Sequence, residues 1–265
     1  MGETPALRGE YQHTKRRRER LVELVEAGSG SENVHALADE LDVSVSTVRR
    51  DLAHLEADGK LARTYGGAMG AGRLDRSWQV KSTEHQDRKQ EIARYAATKV
   101  SRGMTVLLDS GTTVAEAAAI LGTRPDTHLV TNGLSSLLAL ADSDADVTVL
   151  GGRLRRPSES IIGAATLQML QHLTVDVGFL GAEALHPTRG LNCPEMDQAL
   201  VKQLMSDNSK RTWVLVDSSK LEREAPFSYW APVAAGCGVI TDSRATDAQL
   251  APFVDGGWTV EIAPE

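Results

Sequence analysis

From residue 105 onward, seven short runs of the sequence are mainly apolar rather than alternating: TVLLD at 105–109, HLVT at 128–131, VTVLG at 147–151, VDVGFLG at 175–181, TWVLVD at 212–217, GVIT at 238–241 and WTVEI at 258–262. A strand with one face in water alternates apolar and polar residues, whereas a strand covered on both faces does not. Segments with helical spacing, such as VAEAAAIL and LSSLLALA, lie between the runs. This order predicts a mainly parallel, doubly wound α/β sheet with helices on both faces. Ligands of such sheets sit beyond the carboxyl ends of the strands. Here those ends are polar or glycine-rich: Asp109-Ser110-Gly111-Thr112-Thr113, Thr131-Asn132-Gly133, Gly151-Gly152-Arg153 and Asp217-Ser218-Ser219-Lys220.

The SGTT segment has the chemistry of a phosphate site. Gly111 lets backbone approach closely, Ser110, Thr112 and Thr113 offer hydroxyls, and the helix opening behind them presents unpaired amides and the positive end of its dipole. It is neither GxGxxG nor a Walker loop, so no nicotinamide cofactor and no nucleoside triphosphate is indicated. The seven histidines are scattered, and with only Cys193 and Cys237 the chain has no cluster at metal-ligand spacing and no disulfide framework. No cofactor and no metal are therefore expected, and each cysteine reads as a buried or half-buried thiol.

Before residue 70 the pattern changes to short helices. Leu21, Leu24 and Val25 share a face of a helix over 13–27, VHALADEL forms a second helix at 34–41, and Asp42-Val43-Ser44 makes a tight turn. Ser44 then caps a third helix over 45–57, whose Val45, Val48, Leu52 and Leu55 face inward. That leaves Ser46, Thr47, Arg49 and Arg50 outside, an arrangement suited to the major groove. The stretch KLARTYGGAM reads as strand, glycine turn and strand, with Gly66 and Gly67 permitting the reversal and Arg63 and Tyr65 able to press on a sugar-phosphate backbone. The formal charge of the whole chain is -7, and residues 1–70 alone carry ten Lys and Arg against twelve Asp and Glu. Positive charge is bunched, in KRRRER at 15–20 and in Arg49 and Arg50, so a nucleic-acid surface can only be local.

The stretch VSVSTVRRDLAHLEADGKLARTYGGA resembles the signature of the DeoR-type family of bacterial transcriptional regulators, with its winged helix-turn-helix. The resemblance implies that Ser46, Thr47, Arg49 and Arg50 contact double-stranded operator DNA, that Asp51 pairs with an arginine, and that Gly66 and Gly67 shape the wing. Tyr65 stands where the family commonly has histidine. LDSGTT, VTNGL, LGGRLR, the DVGFLG run, the VK of ALVKQLM and VDSSK are similar to the effector domain of the same family, related in fold to sugar-phosphate isomerases. By that likeness Asp109, Gly111, Thr112, Thr113, Asn132, Gly152, Lys202 and Lys220 line a pocket for a phosphorylated sugar, with Arg153 near its rim. Gln198 occupies a place where the family often has an acid.

These readings predict a winged helix-turn-helix over 13–70, a linker over 71–84 and a sensing and oligomerisation domain over 85–265. An isomerase would cast Asp109, Glu183 or Glu195 with Lys202 or Lys220 as proton-transfer groups. A DNA-reading module favours a sensor over an enzyme, since binding alone suffices for a switch. The implied function is repression of carbohydrate-metabolism genes, relieved by the effector. One recognition helix spans few base pairs, so a homo-oligomer, dimer or tetramer, is expected. With no apolar run long enough to cross a bilayer and no apolar stretch after the N-terminal basic cluster, the protein is expected in the cytoplasm and away from membranes.

Overall fold

A computed structural model describes residues 5–27, 32–57, 61–64, 67–70, 77–156, 158–222 and 225–265. The chain divides into two compact units, 1–74 and 75–265.

The first unit contains α1 (Pro5–Ala27), β1 (Glu32–Asn33), α2 (Val34–Glu40), α3 (Val45–Ala57), β2 (Leu61–Thr64) and β3 (Gly67–Gly70). Leu21 and Val25 of α1, Val34 and Leu37 of α2, and Val48, Leu52 and Leu55 of α3 are buried together with Leu61 and Ala68 of the wing. Leu24 and Val45, expected inside, are only partly buried. The Asn33 side chain accepts the His35 N–H at 2.8 Å and so caps α2. Asp42 takes the left-handed conformation, φ 51°, that lets the chain reverse between α2 and α3. Two features are absent from the sequence reading: α1 begins at Pro5, and β1 joins the wing to make a sheet of order β1-β3-β2.

The second unit opens with α4 (Trp78–Thr83) and α5 (Gln86–Ala97). Then come β4 (Thr105–Leu108), α6 (Thr112–Leu121), β5 (His128–Thr131), α7 (Leu134–Leu140) and β6 (Asp146–Val149). A hairpin of β7 (Arg153–Arg155) and β8 (Ser160–Ile162) precedes α8 (Ala164–Gln171), β9 (Val175–Gly181), β10 (Leu185–His186) and β11 (Gly190–Cys193). The chain ends with α9 (Met196–Asp207), β12 (Ser209–Leu215), β13 (Tyr229–Ala231), β14 (Gly238–Thr241), α10 (Asp247–Asp255) and β15 (Thr259–Ile262).

The seven apolar runs are the seven strands of one wholly parallel sheet, in the order β15-β14-β12-β9-β4-β5-β6. Each face has its own core. Val106, Leu108, Phe179 and Leu215 pack with α5, α6 and α7, while Leu107, Leu180 and Val214 pack with α8, α9 and α10. Successive strand residues thus enter opposite layers, which is why the runs carry no polar alternation. Cys193 and Cys237 are both buried, and burial pushes their thiols up to about 11 and about 12. The region expected as linker up to Glu84 contains α4. Ser77 caps it, and Lys81 ties it to the body of the second unit through an ion pair with Glu183. Among the described residues, no helix is long and apolar enough to cross a membrane.

Candidate functional site

In the first unit the exposed residues of α3 form one polar face. Ser44 Oγ accepts the Thr47 N–H at 3.1 Å and lies 2.8 Å from both the Ser46 and Thr47 hydroxyls, so the helix starts in a cluster of hydroxyls. Ser46, Arg49 and Arg50 are exposed, and Thr47 is half-buried beside them. Asp51, on the opposite side of α3, is buried, and its carboxylate accepts from Arg17 Nε at 2.7 Å and Arg18 Nε at 2.9 Å. Burial alone would raise the Asp51 carboxyl, but the two guanidinium groups more than offset it and hold the group below the usual carboxylate range. The basic cluster of α1 is therefore divided: Arg17 and Arg18 clamp α3, and Lys15 and Arg16 face solvent. Gly67 is the first residue of β3. Tyr65, Gly66 and the side chain of Arg63 lie outside the described residues.

In the second unit β4 is the point from which the sheet is built in both directions, β5 and β6 to one side and β9, β12, β14 and β15 to the other. A crevice at such a switch point is where open parallel sheets take ligands. An open cavity lies there, lined by Ser110, Gly111, Thr112 and Thr113 after β4, by Gly181, Ala182 and Glu183 at the end of β9, and by Gln198 and Lys202 of α9. Lys220, Ser158, Asn192, Trp78 and Lys81 complete most of the wall. Gly111 has φ 147°, and no side chain caps α6, so the first amides of that helix remain free of intrahelical partners.

The charges are arranged around this helix start. Lys202 donates to the Gly181 carbonyl at 2.8 Å and is paired with the buried Asp109 carboxylate, which also accepts the Gly181 N–H at 3.1 Å. Lys220 donates to the Ala182 carbonyl at 3.0 Å. A smaller adjoining recess shares Lys81, Thr112, Glu183 and Lys220 and adds Lys89 and Asp217. Burial, and then the Lys220 charge, lowers the Lys89 ammonium from its ordinary value. Burial would raise Asp217, but Lys220 and a hydrogen bond from Ser219 bring it below the ordinary carboxylate value.

Of the residues expected in the pocket, Ser110, Gly111, Thr112, Thr113, Lys202 and Lys220 line it. Asp109 stands behind the lining as the partner of Lys202. Asn132, Gly152 and Arg153 are elsewhere. Asn132 is buried and donates to the Ile161 carbonyl at 3.2 Å, which joins the β5 loop to β8. At Gly152, φ 151°, a Cβ would come within 2.4 Å of Thr166 Oγ1 and 2.6 Å of the Ile162 carbonyl, so this glycine answers to packing. Arg153 is exposed and bridges Glu195 at 3.4 Å and Asp197 at 3.5 Å. Trp78, Lys81 and Ser158 were missed, because they reach the cavity from α4 and from the β7–β8 loop rather than from a strand end. Among the described residues, no group of three or more His, Cys, Asp or Glu could hold a metal ion.

A winged helix-turn-helix with an exposed hydroxyl and arginine face, followed by a parallel α/β unit with a cation-lined crevice, defines a DNA-binding regulator with a sensor domain. Residues 17–71 match the DeoR-like helix-turn-helix domain, and residues 84–243 match the DeoR C terminal sensor domain. The chain belongs to the DeoR family of helix-turn-helix transcriptional regulators. It is 33% identical to the HTH-type transcriptional regulator GlpR of Haloferax volcanii, covering 79% of this chain and 82% of that one. It is 34% identical to a putative aga operon transcriptional repressor of Escherichia coli O157:H7, over 80% of each chain. The glycerol-3-phosphate regulon repressor of Escherichia coli K12 is 30% identical, over 77% of this chain and 82% of its own. A ribose 5-phosphate isomerase A of Methanocaldococcus jannaschii superposes with a TM-score of 0.39 at 20% identity, covering 52% of this chain and 55% of that one.

Proposed function

We propose that this protein is a cytoplasmic repressor of carbohydrate-metabolism genes, released from its operator by a phosphorylated sugar or related metabolite. The observation that carries the reading is the meeting of three lysines, Lys81, Lys202 and Lys220, with the uncapped start of α6 in one cavity. Amides at a helix start and ammonium groups around them favour a dianionic phosphate. The polar wall beyond, with Ser158, Asn192 and Gln198, suits hydroxyls. Operator contact is assigned to Ser46, Thr47, Arg49 and Arg50, with the wing residues Arg63, Tyr65, Gly66 and Gly67 on the backbone beside them. Names of relatives as repressors of a glycerol-3-phosphate regulon and of an aga operon support both halves.

Ligand in the cavity favours an arrangement of a homo-oligomer whose recognition helices no longer match the half-site spacing. A coupling of about 1–3 kcal/mol changes operator occupancy roughly 5- to 150-fold. The test is a thermal-shift screen of phosphorylated sugars and polyols, followed by mobility shifts on DNA upstream of its own gene with and without the compound that binds. An effector that tightens operator binding reverses the switch, and a protein that binds DNA but none of the compounds removes the sensor reading. Sedimentation of the full chain at micromolar concentration is expected to show no dominant 28.5 kDa species.

A further inference from the structure

We infer that Trp78 is a ligand-binding residue of the cavity, its indole N–H donating to an oxygen of a bound phosphate ester. The inference rests on the sugar-phosphate reading above and adds to it a residue that no strand-end motif announces. Trp78 lines the cavity from α4, together with the loop that starts α6. Its Nε1 is shut off from solvent and has no hydrogen-bond acceptor among the described residues. A buried donor left unpaired is unfavourable, and Trp N–H groups nearly always find a partner.

A second atom in the same cavity is in the complementary condition. Gln198 is buried, its Nε2 donates to Ser160 Oγ at 3.4 Å, and its Oε1 has no donor among the described residues. Two residues of one cavity wall, Trp78 and Gln198, thus carry a covered unpaired donor and a covered unpaired acceptor. A ligand that satisfies both must present an acceptor oxygen and a free hydroxyl, which a phosphate ester of a polyol or sugar does and inorganic phosphate does less completely. Since the N–H is covered in this structure, contact with a ligand oxygen requires the indole to turn toward the cavity. Two contacts limit how far α4 itself moves as this happens: the Lys81 pair with Glu183 and the Lys89 ammonium on the Lys81 carbonyl. Trp78 lies one residue beyond Ser77, where the chain enters the second unit from residues 71–76.

The chain has four tryptophans, so the full-length protein labelled with 15N gives few indole resonances to follow. The one missing from Trp78→Phe is that of Trp78. The probes are inorganic phosphate, glycerol 3-phosphate, fructose 1-phosphate and fructose 6-phosphate. With whichever ester binds, the Trp78 resonance is expected to move downfield and exchange more slowly with solvent, further than the other indoles move. Trp78→Phe keeps an aromatic side chain but loses the N–H together with the five-membered ring, and is expected to bind the ester about 10-fold more weakly by calorimetry, the indole resonance of the wild type separating the N–H contact from lost ring area. If the wild type binds an ester while the Trp78 resonance stays in place, or if Trp78→Phe binds it equally well, the assignment is overturned and the cavity reading stands. If the wild type binds none of the esters, the sugar-phosphate reading falls and this inference falls with it.

Discussion

The Lys202 ammonium crosses from α9 to the Asp109 carboxylate at the end of β4, and both side chains are almost completely buried. Asp109 also receives the Gly181 N–H, and Lys202 also reaches the Gly181 carbonyl, so the pair spans the gap between β4 and β9 from both sides. Lys202 therefore fixes the crevice in which it also presents positive charge.

Removing one member of this pair leaves the other as an uncompensated buried charge. Lys202→Met is expected to destabilise the protein by about 3–5 kcal/mol, read as a lower urea midpoint with unchanged slope. Asp109→Asn added to it restores part of the loss. Lys220→Met, whose ammonium donates to the Ala182 carbonyl and faces the buried Asp217 carboxylate, is expected to weaken effector binding and to cost less stability than Lys202→Met, since Asp217 keeps its bonds from Ser219. Equal stability of the Lys202 and Lys220 variants contradicts this division of labour.

Asp51 makes the first unit acid-sensitive. Its folded value lies below the ordinary carboxylate value, so the stabilisation it supplies is complete above about pH 4 and is lost as the pH falls through the folded value. Asp51→Asn is expected to cost about 1–3 kcal/mol at neutral pH, with the deficit against wild type shrinking in melts taken at progressively lower pH. A deficit constant down to pH 2 shows that packing, not charge, is what Asp51 supplies.

Arg49→Ala and Arg50→Ala are expected to impair operator binding with no change in melting temperature or effector affinity, since both side chains are exposed. An arginine on a guanine edge contributes about 1–3 kcal/mol of sequence discrimination. One on a phosphate weakens all sequences alike and lowers the salt dependence by about one ion. Wild-type affinity in both variants across a salt titration takes α3 out of the interface.

Gly152→Ala separates packing from ligand contact. The new methyl meets Thr166 Oγ1 and the Ile162 carbonyl at a φ that L residues rarely adopt, so the melting temperature is expected to drop by the equivalent of about 1–3 kcal/mol. Effector affinity of the folded fraction stays near wild type. A selective loss of effector binding at unchanged stability returns Gly152 to the pocket wall.

The parallel sheet was legible because its inner strands are buried on both faces, and a run such as TVLLD leaves few other ways to hide three apolar neighbours. Strands β10, β11 and β13 escaped notice because they are short, and β11 carries Asn192, whose polarity is absorbed by hydrogen bonds to Phe227 and Tyr229 backbone atoms. The Ser110 to Thr113 loop was legible for the same local reason that it works, a glycine and hydroxyls at a helix start. Gly152 and Asn132 carry the same kind of signal for a different cause, close approach of backbone and bridging between loops. Trp78 and Lys81 sit in a stretch bordered by glycine and charge, where only the tertiary placement of α4 in the crevice wall gives them a role.

That placement bears on where the sensor begins. The family match to the sensor domain starts at residue 84, yet the wall of the crevice includes Trp78 and Lys81. A fragment cut at residue 84 would keep every strand of the parallel sheet, the SGTT loop and both buried lysine partners, and would present the crevice with one side missing. The sensing module, defined by the ligand it must enclose rather than by the homology it shares, extends backward into the stretch that leads to the DNA reader.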